Sequence, residues 1–125
     1  IYLADHEILV RGKPLEFAGT ILSAAATAKV AEIVAVLKET ADIELLEVGV
    51  HTAGSGSGPA SKMYAEARAA ALVKALVSAG VPADRLRAKG YGGSCKLDTP
   101  RVDLIVLRRA GKDTGAALGC DKSAK

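Results

Sequence analysis

Four groups of residues in this 125-residue chain have the chemistry to make a site. They are a glycine–serine run, a histidine beside a threonine, an arginine set among alanines, and two cysteines. The run Gly54-Ser55-Gly56-Ser57-Gly58 invites a test as a phosphate cradle, because backbone N–H groups ahead of a helix attract anions. It fits neither G-x-G-x-x-G nor G-x-x-x-x-G-K-[ST], since Lys62 lacks the preceding glycine. It is no G-x-S-x-G elbow either, because Gly56 holds the nucleophile position, so it reads as a surface turn. His51 stands beside Thr52 with no adjacent carboxylate, which suits hydrogen-bonded structure better than acid–base catalysis. Cys95, Cys120, His6 and His51 lack C-x-x-C or H-x-x-x-H spacing, so neither a metal nor a cofactor is expected. Arg68 lies amid Ala65, Ala67, Ala69, Ala70 and Ala71. Small neighbours leave a guanidinium open as a carboxylate-binding fork, the plainer alternative being a surface arginine with its stem on apolar ground.

Composition narrows the function classes. Aromatic residues make up only 3% of the chain, which speaks against base-stacking nucleic-acid modules and against sugar platforms built from exposed rings. The net charge of +3 arises from 17 basic and 14 acidic residues without a long basic block, so no duplex-binding footprint is expected. No apolar run approaches the roughly 18 residues of a membrane span. The cysteines can pair in an oxidising compartment or stay free in a reducing one. The chain opens on Ile1 rather than Met, which reads as a processed or excised piece.

The elements that must position these groups follow from periodicity. Glu7 to Phe17 reads as a strand broken near Gly12 and Pro14. From Ser23 a helix runs to about Thr40, with Val30, Ile33, Val34 and Leu37 on one stripe. Ile43 to Val50 is a nearly continuous apolar run, suited to a central strand covered on both faces. A long helix from about Ser61 to Ala79 buries Ala65, Ala69, Leu72, Val73 and Leu76, and Gly80 is placed to terminate it. Leu86 to Gly90 reads as a short strand, Gly92 to Pro100 as a loop, and Val102 to Leu107 as the last strand, antiparallel to the one before. Beyond Ala110 the apolar pattern fades into a tail that only a staple would hold. The expected fold class is α/β (an α+β sandwich): a β-α-β-α-β-β mixed sheet with both helices on one face.

On these residues the chain resembles the OmpA C-terminal-like domain, found also in Pal lipoproteins and MotB-type stators. The matching positions are His51-Thr52, Gly56-Ser57, Arg68-Ala69, Gly80-Val81, Arg85-Leu86, Gly90-Tyr91-Gly92, Ser94 and Arg101-Val102, within a resemblance from about Ile8 to Leu107. It implies a domain over residues 1–109 followed by a tail over 110–125. It further implies a non-catalytic, peptidoglycan-binding domain of a bacterial periplasm, associated with the cell envelope; a lipid anchor at the outer membrane, a fused barrel and a motor attachment upstream of Ile1 are the alternatives left open. In that family a loop Asp and a helix Arg hold the charged end of the diaminopimelate side chain. Arg68 inherits the carboxylate role, and the Asp position is Ala53. The family Asn is Ser61, the Gly before the His is Val50, Leu-Ser is Tyr64-Ala65, and one Arg of N-R-R is Pro100. The expected ligand set is therefore Arg68, Thr52, Ala53, Ser57, Ser61 and Arg101, with weakened binding.

Two other readings remain at this point: a degenerate module that binds other envelope proteins or serves structure, and an unrelated enzyme on a similar scaffold. The periplasmic compartment that the resemblance implies is oxidising, and the tail is long enough to fold back, so a Cys95–Cys120 disulfide is expected to hold it.

Overall fold

The first helix begins after Ser23, which is still extended (φ −66°, ψ 163°) and whose hydroxyl accepts the Ala26 amide at 3.1 Å. That bond satisfies one of the amides a helix start leaves open. Helix α1 (Ala24–Glu39) ends at Thr40, whose N–H still reaches Val36 O at 3.0 Å. Its buried residues are Ala26, Val30, Ile33, Val34 and Leu37, the expected stripe with one turn added. Helix α2 (Pro59–Ser78) buries Ala65, Ala69, Leu72 and Leu76, while Val73 is half-buried. It closes with Gly80 N–H on Val77 O and Val81 N–H on Leu76 O, with Gly80 at φ +112°. Those paired bonds make a left-handed C-cap, as Gly80 suggested.

The computed structural model describes residues 2–4, 6–10, 15–53, 59–97 and 100–120. The main sheet has the order β1-β2-β7-β5-β6, from β1 (Tyr2–Ala4), β2 (Glu7–Leu9), β5 (Ile43–Ala53), β6 (Leu86–Leu97) and β7 (Arg101–Arg109). A small second sheet pairs β3 (Phe17–Ala18) with β4 (Ile21–Leu22), and β8 (Lys112–Asp113) pairs with β7. A 3-10 turn, Ala83–Arg85, leads into β6. The α+β class and the mixed sheet are as expected: β5 runs parallel to β6 and antiparallel to β7.

Register sorts the residues into two faces. Leu46, Val48 and Val50 of β5 join Leu104 and Val106 of β7 and Ile8 of β2 in one core with Ile33 and Leu37 of α1 and Leu72 and Leu76 of α2. Burying each such aliphatic side chain is worth about 1.5–3 kcal/mol, so this face decides stability. The opposite face alternates with it and buries Glu47, His51 and Asp103. The strand is thus covered on both faces, but the second cover is the C-terminal segment, whose buried Gly119 lies against the Tyr91 ring.

Four local expectations are corrected. The single broken strand over Glu7 to Phe17 is instead β2 and the start of the β3–β4 hairpin, with β1 folded back antiparallel on β2; the Gly12–Pro14 break lies outside the described residues. Gly92 to Leu97 is strand, not loop. The glycines there permit close packing rather than flexibility. A Cβ on Gly90 would stand 2.6 Å from Lys62 O of α2, and Gly92 takes φ +62° where the β5–β6 register shifts. The last two long strands run antiparallel, as expected, but they do not pair, because β5 lies between β6 and β7. Finally, the tail is not held by a staple alone. Beyond β8, Thr114 Oγ1 donates to Val106 O at 2.6 Å and Thr114 N–H to Leu107 O at 3.0 Å.

Candidate functional site

Where β5 ends and β7 begins, the sheet, α2 and the β3–β4 hairpin enclose an open cleft of about 400 Å³. Leu15, Phe17, Val50, Pro100 and Val102 give it apolar walls, and Glu16, Arg68 and Arg101 supply its polar groups, with the buried His51 behind them. Arg68 stands midway along α2, and its guanidinium is gripped from three sides. Its Nε donates to Gly19 O at 2.7 Å, its Nη2 donates to the Tyr64 hydroxyl at 3.1 Å, and its Cζ lies 5.1 Å from the Phe17 ring centre and 4.6 Å from that of Tyr64. Cations are attracted to ring faces at such distances, so the fork is oriented before any ligand arrives. The guanidinium has no ion pair with a carboxylate among the described residues. The expectation of open space among alanines is thereby corrected: two rings flank Arg68, one from its own helix and one from the hairpin.

Of the other expected ligand residues, Arg101 also lines the cleft, but its charge is already met. Its Nε stands 2.8 Å from Asp103 Oδ1 and its Nη2 donates to Oδ2 at 2.9 Å. Thr52 and Ser61 meet each other instead, with hydroxyls 3.3 Å apart, while Ser61 Oγ accepts Gly93 N–H at 3.0 Å. That pair ties the end of β5 to the first turn of α2 and to β6. Ala53 ends β5, with its backbone opposite Leu97. Ser57 lies outside the described residues.

Behind the cleft, the polar face of the sheet forms one network. His51 is fully buried, its Nε2 stands 3.1 Å from Asp103 Oδ2, and its ring stacks on Tyr91 with centroids 4.7 Å apart and planes 6° apart. A carboxylate oxygen only accepts, so Nε2 carries the proton. This is the structural histidine the sequence suggested, with a carboxylate partner 52 residues away. Tyr91 in turn donates to Glu47 Oε1 at 2.5 Å, and Arg87 Nη2 pairs with Glu47 Oε2 at 2.5 Å. The Cys95–Cys120 disulfide, with Cα atoms 5.1 Å apart, draws the tail across this face.

Burial, and then the hydrogen bond to Glu47 and that carboxylate's charge, raise the Tyr91 phenol far above its ordinary value of 10.0. The folded chain therefore keeps a proton that the unfolded chain releases. This contribution is fully present below about pH 10 and is lost as pH climbs from there toward the raised folded value. Tyr91→Phe is expected to flatten the alkaline fall in stability, measured as denaturant midpoints across that range. Equal alkaline slopes in parent and variant would refute the coupling.

Glu16 and Phe17 line the cleft and Tyr64 holds the Arg68 guanidinium, and none of the three was singled out from the sequence for that role. Tyr64 had a readable signal, since a residue four before Arg68 shares its helix face. Phe17 and Glu16 had none, because the hairpin reaches α2 only through the tertiary fold.

A family model described as the OmpA family matches residues 16–103. Among solved structures, the chain is similar to the OmpA-like domain of FopA1 from Francisella tularensis subsp. tularensis SCHU S4. That match has a TM-score of 0.57 and 15% sequence identity, covering 82% of this chain and 80% of the other. At that identity the likeness speaks to fold. No curated protein sequence matches.

Proposed function

The chain belongs to the OmpA family, and from that premise we propose that it is a non-catalytic cell-envelope domain that binds peptidoglycan through the stem peptide, more weakly than members with the full Asp–Arg pair. The observation that carries the reading is Arg68: a guanidinium held in place in an open cleft, with no carboxylate on it among the described residues. A bacterial stem peptide offers a carboxylate for that fork and an aliphatic chain for the walls formed by Leu15, Phe17, Pro100 and Val102. Where the family places an Asp, this chain has Ala53, so the ligand ammonium loses one charged acceptor. Such a loss is worth about 1.5–3 kcal/mol, or roughly ten- to a hundred-fold in affinity. The reading places the chain in the periplasm.

Co-sedimentation with purified sacculi of the diaminopimelate type tests this. The parent chain is expected to be retained, Arg68→Ala to lose retention, and Ala53→Asp to gain it. Retention of Arg68→Ala at the parent level would refute the proposal. A second reading, a structural or protein-interaction module, draws on the same arginine, because its bonds to Gly19 and Tyr64 also fasten the hairpin to α2. On that reading Arg68→Ala lowers the melting temperature and the parent shows no retention.

A further inference from the structure

We propose that Glu16 supplies the acidic half of the recognition pair, in place of the Asp missing at position 53. This rests on the peptidoglycan reading above and adds the group that would receive the ligand's ammonium.

Glu16 is the one carboxylate among the described residues lining the cleft, and it is exposed. The charges around it are otherwise settled. Arg101 is paired with Asp103, and His51 faces the same carboxylate, which leaves Arg68 and Glu16 as the cation and anion of the cleft without an ion pair among the described residues. These two make no ion pair with each other. Opposite charges that line one cleft without closing on each other leave room for a ligand carrying both charges between them.

Their separation is held by the frame rather than by side-chain chance. The Glu16 carbonyl accepts Ser23 N–H at 3.0 Å across the base of the β3–β4 hairpin, and Arg68 Nε grips the same hairpin at Gly19 O. The hairpin that positions Glu16 is therefore anchored to the helix that carries Arg68. A guanidinium, a carboxylate and apolar walls lining one cleft complement an amino-acid zwitterion on an aliphatic chain. The acid comes from the hairpin, whereas the family Asp would sit at the end of β5.

The test compares free meso-diaminopimelate with pimelate, the same dicarboxylate without amino groups, by NMR titration of the parent, Glu16→Gln and Arg68→Ala. The parent is expected to prefer meso-diaminopimelate about three- to ten-fold, the range for a partly solvated charge pair. Glu16→Gln is expected to abolish that preference by weakening meso-diaminopimelate binding, with the melting temperature unchanged. A preference that survives in Glu16→Gln, while Arg68→Ala loses both ligands, overturns the role of Glu16 and leaves the peptidoglycan reading standing. A parent that binds both ligands equally also overturns it. A parent that binds neither ligand nor sacculi overturns both.

Discussion

Gly90→Ala is expected to destabilise the chain by about 3 kcal/mol, at the upper end of the range for overpacking, because the obstacle is backbone. The added Cβ would stand 2.6 Å from Lys62 O and 2.7 Å from Glu66 Cα, and it would also meet the Glu66 amide. None of these is the movable end of a side chain, so α2 must lift away from β6. The lift would loosen Ala65, Ala69, Leu72 and Leu76 from the core, and these are the contacts that seat the helix. Guanidinium unfolding is the measurement, with Ala70→Ser on the exposed side of α2 as a reference expected to stay within about 0.5 kcal/mol. A Gly90→Ala variant as stable as that reference would mean that α2 does not ride on β6 at this point. Because α2 carries Arg68, the same variant is expected, on the peptidoglycan reading, to lose retention on sacculi along with stability.

Opening the Cys95–Cys120 bridge is the second large effect. The cysteines are 25 residues apart, and closing a loop of that size restricts the unfolded chain by about 3.5 kcal/mol. Reduction, or Cys120→Ser, is expected to lower stability by about that amount. The loss should also be local. Thr114 keeps its bonds to Val106 O and Leu107 O, whereas Gly119 is kept on the Tyr91 ring by its contact there and by Arg101 Nη2 at 3.4 Å from its carbonyl. Amide exchange is therefore expected to quicken over 115–120 and to change little at Thr114. Equal denaturant midpoints with and without reductant would contradict this account.

The chemistry of the candidate cleft was legible in part. Arg68 could be chosen from its alanine setting and its match to a family motif, and the cleft forms around it. The Thr52–Ser61 contact shows the limit of motif transfer. Both residues occupy family positions, yet here their hydroxyls join β5, α2 and β6 to one another rather than line the cleft. Glu16 could not be chosen, because nothing within several residues of it indicates that the hairpin leans on α2.

By itself the sequence determined the helices, their ends and their buried stripes, because each depends on contacts within a few residues: Ser23 with Ala26, Gly80 with Val77, and Val30, Ile33, Val34 and Leu37 along one face. It also determined that Ile43 to Val50 is a core strand, since β-branched and aliphatic residues in an unbroken run fit little else. Tertiary structure decided the rest. The insertion of β5 between β6 and β7, the reading of Gly90 and Gly92 as packing glycines in a long strand, and the pairing of His51 with Asp103 all join residues distant in the chain. Such contacts are chosen by how whole faces pack and by which buried polar groups find partners, and neither is encoded in local spacing.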